Sequence, residues 1–207
     1  MSGDGTLVVF ETRSASVVAG DTNGERDVFV RDLEAATTFR VSVGTGGTEA
    51  SRGGFDGFVS ANGRYVVFVS SSDELAPPGG AQPDVFLHDL VTRETTLVSI
   101  DATGGPSNRG SSRPSVSDDG RHVVFQSEAT DLVTATDLNA TYDVFLRDRV
   151  AGVTTCLSLL ASGTTGASTS DRPIVAADGS LVAFASYAAL LPGDTDVAQD
   201  VYLVPLP

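Results

Sequence analysis

Three short segments of the sequence share one pattern of oxygen-bearing side chains, at the first, third and seventh positions. The residues are Asp21, Asn23 and Asp27, then Asp137, Asn139 and Asp143, then Asp194, Asp196 and Asp200. Calcium takes six to eight hard oxygen ligands, and a loop that alternates side-chain and backbone oxygens can wrap one ion. The spacing therefore predicts calcium as a cofactor held in these loops, although no distal bidentate glutamate follows any of them.

The equivalent loop of a fourth segment separates metal binding from a purely structural role. It reads Pro78-Gly-Gly-Ala-Gln-Pro-Asp84, so the first two acidic positions are lost and the last remains. Asp and Asn side chains often shape turns by accepting hydrogen bonds from nearby backbone amides. Asp84 must then have a structural role without metal, and the last Asp of the other three loops is explained equally well by that role. Only the first two positions of those loops favour a cation.

Asp56, Arg113 and Arg172 occupy equivalent places, each at the end of a loop rich in Gly, Ser and Thr and at the start of the next strand. Two arginines side by side could bind a carboxylate or phosphate group of a ligand through paired N–H donors. Arginine also forms ion pairs well, so the alternative is that these side chains bind aspartates of a neighbouring repeat and hold the repeats together.

Little in the sequence indicates catalysis. His122 replaces an apolar residue of its repeat, and His88 replaces an arginine on what should be a solvated part of an outer strand. No Gly-x-Ser-x-Gly motif is present, and Cys156 has no neighbour in sequence that would lower its pKa. We therefore expect no enzymatic activity and no organic cofactor. The exception to consider is an active site built from the two arginines and loop carboxylates.

Composition and charge exclude several kinds of partner. The 207 residues carry a net charge of −14, and all 13 basic residues are arginines. Such an acidic chain repels phosphate backbones, which argues against nucleic acid as a partner. No apolar run approaches the roughly 18 residues that a membrane helix needs, so no membrane insertion is expected. The first residues also lack the charged-then-apolar pattern of a signal peptide.

A repeat of nearly constant length runs through the chain. Glycines that follow Asp or Asn recur at Gly5, Gly63, Gly120 and Gly179, which are 57 to 59 residues apart. An Asp-Val-aromatic motif recurs at the same interval and begins at Asp27, Asp84, Asp143 and Asp200. A complete repeat contains four short strands, here lettered A to D in chain order, and the Asn-Gly or Asp-Gly turn joins A to B.

A sheet of four short strands that is apolar on both faces must pack against further copies of itself. The sequence therefore predicts an all-β fold, a β-propeller whose four blades are antiparallel four-stranded meanders, in a single domain over residues 1–207. The blades cover approximately 1–43, 55–100, 113–159 and 172–207. A β-sandwich is the alternative, but sandwiches do not repeat their sequence every two hairpins.

The first and last blades are predicted to be incomplete, since most of one strand A and one strand D are missing. We expect the natural protein to continue upstream of Met1. Otherwise the open strand edges should pair between chains. That pairing would give a homodimer, and an eight-bladed ring from two chains is the alternative architecture.

The segments 117–127 and 143–148, with the loop Asp137-Leu-Asn139 and their equivalents in the other blades, resemble the TolB-like propeller repeats of bacterial envelope and secreted proteins. The resemblance implies an extracellular or periplasmic location. Fold does not fix function, and such propellers serve as scaffolds, binding platforms and appendages of hydrolases. We therefore expect a non-catalytic binding or scaffold module that presents a loop face to a protein or glycan partner. The alternative is an accessory domain that holds substrate for a secreted hydrolase.

Overall fold

The Asn-Gly and Asp-Gly dipeptides form the first turn of every blade, and their glycines adopt a left-handed conformation. The φ angles of Gly5, Gly63, Gly120 and Gly179 lie between 69° and 77°. Glycine is favoured there because it has no Cβ to clash with the following carbonyl group. The preceding side chain accepts a hydrogen bond from a backbone amide two residues later, as Asn62 does from Arg64 at 3.0 Å.

The computed structural model describes residues 1–75, 82–134, 141–159, 168–191, 194 and 198–207. It contains four antiparallel sheets, which are the predicted blades. The first blade comprises β1 (Leu7–Thr12), β2 (Asp27–Asp32) and β3 (Thr37–Arg40), and the second comprises β4 (Phe55–Val59), β5 (Tyr65–Ser70), β6 (Asp84–Asp89) and β7 (Thr95–Leu97). The third comprises β8 (Ser111–Val116), β9 (His122–Ser127), β10 (Asp143–Asp148) and β11 (Val153–Cys156), and the fourth comprises β12 (Ser170–Val175), β13 (Leu181–Ser186) and β14 (Asp200–Pro205).

The sheets have three, four, four and three strands, so the prediction of a propeller with incomplete first and last blades is confirmed. Each blade is an unbroken meander in which sequential strands pair. A 3₁₀ turn, Asp73–Leu75, follows the second strand of the second blade. Within the described residues, no helix has the length and apolar character needed to cross a membrane.

The hydrophobic core lies between consecutive blades. One cluster, which includes Val28, Val30, Val66 and Phe68, joins the first blade to the second. A second cluster joins blades two and three, and a third joins blades three and four. Because strand side chains alternate between faces, each middle blade contributes one apolar face to each of two clusters. Among the described residues, no such cluster joins the fourth blade to the first.

Candidate functional site

In the first three blades, the last Asp of the B–C loop belongs to a buried hydrogen-bonded pair, which we call the Asp–Ser clasp. The Ser42 hydroxyl donates to Asp27 at 2.5 Å, that of Ser99 to Asp84 at 2.6 Å, and that of Ser158 to Asp143 at 2.6 Å. Each serine also accepts a hydrogen bond from the backbone amide of the residue after the Asp. The clasp ties the start of strand C to the residues after strand D.

The structural role that the sequence assigned to Asp84 is thus present in the blade that lacks the other acidic positions. Asp84 is buried, and it also accepts a hydrogen bond from the Ser107 hydroxyl at 2.7 Å. Burial raises the pKa of Asp84, while the hydrogen bonds from Ser99 and Ser107 oppose that rise. Asp200 is exposed, and the described part of its blade contains three strands and no strand D. A carboxylate at this position therefore serves the clasp in the blades that have a strand D.

The first loop gathers three carboxylates around one guanidinium group. Oxygens of Asp21, Asp27 and Glu49 lie within 4.8 Å of one another, a geometry that could hold a metal ion. The Nη1 atom of Arg40 lies 2.5 Å from Glu49, 3.4 Å from Asp21 and 3.6 Å from Asp27. The Asp21 and Arg40 side chains are only 2% and 9% exposed. The positive charge of Arg40 therefore stands among the oxygens that a cation would need.

Asn23 is not oriented as a ligand in this cluster. Its side-chain nitrogen donates to Asp27 and to the Ala50 carbonyl, each at 2.8 Å, and its Oδ1 accepts from the Glu25 amide at 2.7 Å. By contrast, both carboxylate oxygens of Asp21 are buried, and no described residue donates a hydrogen bond to them. The charge of Arg40 is thus the principal compensation for the Asp21 carboxylate.

The pKa values of two members of the cluster are shifted in opposite directions. Burial acts to raise the pKa of Glu49, but hydrogen bonds from Thr22 and Arg40 outweigh it and lower that pKa to about 2. Burial raises the pKa of Asp27, and Ser42, Asn23 and Arg40 oppose that rise. The cluster is therefore a charged network that holds the B–C loop against the residues after strand D.

Sequence reasoning missed Glu49 and Arg40. Arg40 stands where the second and third blades have Leu97 and Cys156, so a charged residue breaks an otherwise apolar position of the repeat. That break was a usable signal. Glu49 belongs to the loop after strand D and carried no signal, because its contact with the loop around Asp21 depends on how two distant loops meet.

The other predicted calcium ligands are described only in part. Asp137, Asn139 and Asp196 lie outside the described residues. Asp194 accepts a hydrogen bond from the Tyr202 hydroxyl at 2.7 Å. Asp143 is fully buried in its clasp.

Asp56, Arg113 and Arg172 share a backbone feature that the sequence did not show. All three have positive φ angles, of 53°, 51° and 53°, at a bulge where the innermost strand of each blade shifts its register. A non-glycine residue in this region is strained by about 1–3 kcal/mol, and such strain is concentrated at functional sites. The same bulge, with an exposed residue at positive φ, thus recurs in three successive blades.

Side chains from the preceding blade support these bulges. The Asp56 side chain accepts a hydrogen bond from the backbone amide of Arg113 at 3.1 Å. The Gln126 side chain accepts one from the backbone amide of Arg172 at 3.2 Å. The guanidinium groups themselves remain exposed. Arg172 lies 3.9 Å from Asp171 of its own strand, and the Arg113 side chain has no hydrogen bond or ion pair with the described residues. The predicted alternative, in which these arginines join blades through ion pairs, is therefore absent from the described residues.

A cleft of about 350 Å³ lies beside the first bulge. Its lining residues are Arg13, Glu25, Arg26, Arg52 and Phe55. Arg26 lies 3.6 Å from Glu11, and Arg52 donates to the Ser71 carbonyl at 2.9 Å. Phe55 immediately precedes Asp56, so this arginine-lined cleft is continuous in sequence with the row of bulges. These arginines form no motif in the sequence, because Arg13 and Arg26 lie at the two ends of one loop and Arg52 lies in the loop that leads to the second blade.

His88 is not solvated, as the alignment with arginines suggested, but only 2% exposed. Its Nδ1 lies 2.8 Å from the Thr95 hydroxyl, which donates to the Val43 carbonyl. The ring nitrogen therefore acts as the donor to Thr95. Burial, with a smaller effect of Arg93, lowers the pKa of His88 to about 4, although Asp89 opposes this.

This burial predicts an acid-sensitive fold. Below pH 6.5 the unfolded chain protonates His88 while the folded chain does not until about pH 4, so stability should fall as the pH drops through that window. We expect a loss of about 2 kcal/mol between pH 7.5 and 5 from this residue. Urea denaturation at several pH values measures it. The His88→Gln variant should lose that part of the slope, and an unchanged slope would contradict the assignment.

Comparison with solved structures supports the architecture. TolB from Acinetobacter baumannii aligns with 99% of this chain at 16% identity and a TM-score of 0.56. A putative TolB from Agrobacterium tumefaciens aligns with 100% at 15% identity and a TM-score of 0.60. This chain has a TolB-like β-propeller fold. No family model matches the sequence, and no curated protein matches it.

The TolB-like fold also occurs in enzymes. An oligogalacturonate lyase from Vibrio parahaemolyticus aligns with 99% of this chain at 18% identity and a TM-score of 0.53. The chain spans 39%, 60% and 47% of the lengths of these three proteins. At such identities the likeness establishes the TolB-like fold, and function must be argued from the residues of this chain.

Proposed function

We propose that this protein is a non-catalytic binding propeller whose loop face takes a carboxylate-bearing glycan or protein partner. The observation that carries the proposal is the row of exposed side chains at Asp56, Arg113 and Arg172, each presented by a strained bulge at the inner edge of its blade. A rigid scaffold that holds side chains at unfavourable φ angles fixes their direction before any ligand arrives.

The two arginines of the row favour an anionic group. A guanidinium group donates two parallel hydrogen bonds to a carboxylate, and neither Arg113 nor Arg172 uses its donors in a close ion pair with the described residues. The arginine-lined cleft adds three more guanidinium groups and the ring of Phe55. An aromatic face beside cationic donors suits a sugar acid or an acidic peptide, because the ring contacts the apolar surface and the arginines contact the carboxylates.

We propose calcium binding for only two of the three acidic loops. In the first loop Arg40 already places a positive charge among Asp21, Asp27 and Glu49, so a metal ion would have to displace it. Calcium binding remains a proposal for the loops that contain Asp137 and Asp196, which lack an equivalent arginine in sequence. A cation there would order the loop face and reduce the entropy lost on binding.

The experiment is a calorimetric titration of the 207-residue protein with trigalacturonate, and with neutral galactotriose as the matched uncharged probe. We expect binding of the acid only, with the Arg113→Gln/Arg172→Gln double variant at least about tenfold weaker, the equivalent of 1.4 kcal/mol. Arg93→Gln is the control, because Arg93 is also an exposed arginine at positive φ (63°) but lies in a C–D turn at the opposite end of the blades. A hexaglutamate peptide serves as the protein-like probe.

Loss of binding in the control to the same extent as in the double variant would contradict the proposal, as would equal affinity for the neutral sugar. The accessory-domain alternative makes the same face hold substrate for a separate catalytic domain. It would be favoured if trigalacturonate binds and remains unchanged during prolonged incubation with the protein, while hexaglutamate does not bind.

A further inference from the structure

A cavity of about 430 Å³ lies at the outer edge of the third blade and is lined both by β11 and by the loop that follows strand D of the second blade. We call it the outer cavity. Its lining combines an arginine with a mainly apolar wall, and includes Arg147, Leu132, Val133, Val153, Cys156 and Leu159. Pockets for small molecules have volumes of roughly 300–1,000 Å³. The outer cavity is therefore large enough for a small organic ligand.

The equivalent position of the second blade is closed by a loop that is bonded directly to the outermost strand. The Thr45 hydroxyl accepts a hydrogen bond from the Thr95 amide at 3.0 Å and donates one to the Thr95 carbonyl at 3.3 Å. The Thr95 hydroxyl donates in turn to the Val43 carbonyl. His88, which is bonded to Thr95, is only 2% exposed. The loop after the first blade thus packs directly on β7.

The loop after the second blade lacks the residue that makes this contact. Ala102 stands where the preceding loop has Thr45, and Thr154 stands at the position of Thr95. Alanine has no hydroxyl group to bond to the strand. The Thr154 hydroxyl instead accepts a hydrogen bond from Arg147 at 3.1 Å, and within the described ranges its side chain makes no hydrogen bond to the loop. The loop therefore stands away from β11, and the outer cavity lies between them.

Two smaller side chains enlarge the space. Cys156 stands where the second blade has Leu97, and Gly152 stands where it has Arg93. The Arg93 guanidinium carbon lies 5.0 Å from the centre of the Phe39 ring, so in the second blade this side chain covers the neighbouring strand. A Cβ atom placed on Gly152 would meet no other atom within 4 Å. The outer cavity is thus a specific departure of the third blade from the repeat.

Arg147 gives the cavity a charge preference. Its side chain is half-buried, and the bond to Thr154 engages only part of a guanidinium group that carries several N–H donors. Among the described residues, no carboxylate forms an ion pair with Arg147, whereas Arg121 is bound to Asp148 at 2.7 Å. Burial lowers the pKa of Arg147, although Asp148 opposes this. A bound anion would offset the cost of burying that charge.

Asp101 is the carboxylate in the lining, and its own turn holds it. It accepts hydrogen bonds from the Thr103 amide at 2.7 Å and from the Gly105 amide at 2.8 Å. The Thr103 hydroxyl donates to the same oxygen at 2.8 Å. Asp101 is therefore already supplied with donors, and Arg147 is the charged group of the cavity that lacks a charged partner among the described residues.

We propose that the outer cavity binds a small organic acid with an apolar body. The carboxylate pairs with Arg147, and the hydrocarbon part packs against the wall formed by Leu132, Val153 and Leu159. Val153 is 54% exposed in the empty cavity, so a ligand there would remove apolar surface from water. The site is separate from the loop face, because its lining includes neither the row of bulges nor the arginine-lined cleft.

A calorimetric titration with octanoate tests the proposal, with octanamide as the uncharged probe of the same length. We expect binding of the acid only, and an affinity at least about tenfold weaker in Arg147→Gln and in Cys156→Leu, which fills the cavity with the residue of the second blade. Arg31→Gln is the matched control. Arg31 stands at the same position in the first blade and donates to Thr38 at the same distance of 3.1 Å, so this variant should bind octanoate as the unmodified protein does.

A second filling variant, Ala102→Thr, restores the hydroxyl of the preceding loop and should also weaken octanoate binding. Circular dichroism and the melting temperature verify that each variant is folded. Absence of binding at millimolar octanoate would overturn the proposal, as would equal affinity for octanamide or unchanged affinity in both folded filling variants. The Arg113→Gln/Arg172→Gln variant should bind octanoate normally. Loss of binding in that variant would assign the acid to the loop face and overturn the proposal.

Discussion

Replacing Arg40 by leucine, the residue at this position in the second blade, should lower the free energy of unfolding by about 3–5 kcal/mol. The change removes the guanidinium group from between Asp21, Asp27 and Glu49 and leaves buried carboxylates without their positive charge. The loss should exceed that of an ordinary surface substitution, which is within about 0.5 kcal/mol. Urea denaturation measures it, and Arg13→Leu is the control because Arg13 is exposed.

The same variant tests whether the cluster can hold a metal. With Arg40 removed, millimolar calcium should restore part of the stability, because the three carboxylates become available to a hard cation. The restoration should disappear in Arg40→Leu/Asp21→Asn, which removes one ligand charge. A loss of less than 1 kcal/mol on replacing Arg40 would contradict its role as the resident cation. Equal calcium stabilisation with and without Arg40 would also contradict it.

Replacing Asp84 by alanine should cost about 3 kcal/mol, the second large effect. The Ser99 and Ser107 hydroxyls would lose a buried acceptor, and the residues after strand D would lose their tie to the start of β6. The matched control is Asp200→Ala, at the same position of the repeat but exposed and without a strand D to hold. Its effect should stay within about 0.5 kcal/mol. Thermal and urea denaturation of both variants give the comparison, and similar losses in the two would contradict the structural role of the clasp.

The blades were predictable because each is a local structure repeated four times. The positive φ at Gly63 and the strand after it depend on neighbours within the same hairpin, so sequence alone carried the information. The structural role of Asp84 was also predictable, because its loop lacks the other two acidic positions that the equivalent loops have. The partner of that aspartate, Ser99, was not predicted, although it recurs at the same spacing in three blades.

The site was less predictable because it depends on contacts between loops. Glu49 reaches the Thr22 amide at 2.8 Å across 27 residues of sequence, and no short motif marks such a contact. Arg113 and Arg172 lie in the first half of an inner strand, as the repeat indicated, but their left-handed backbone was not predictable because arginine seldom adopts that conformation. The burial of His88 was missed for a related reason, as its arginine counterparts in other blades indicated a solvated position.

The most direct test of the central claim is to observe the arginine side chains during binding. In a nitrogen-15 NMR titration with trigalacturonate, the Nε–H resonances of Arg113 and Arg172 should shift. Those of Arg64 and Arg121 should stay in place, because they are already bound to Asp89 and Asp148 at 2.8 and 2.7 Å. Binding that leaves the Arg113 and Arg172 resonances unchanged, or that moves all four equally, would contradict a loop face built around these exposed guanidinium groups.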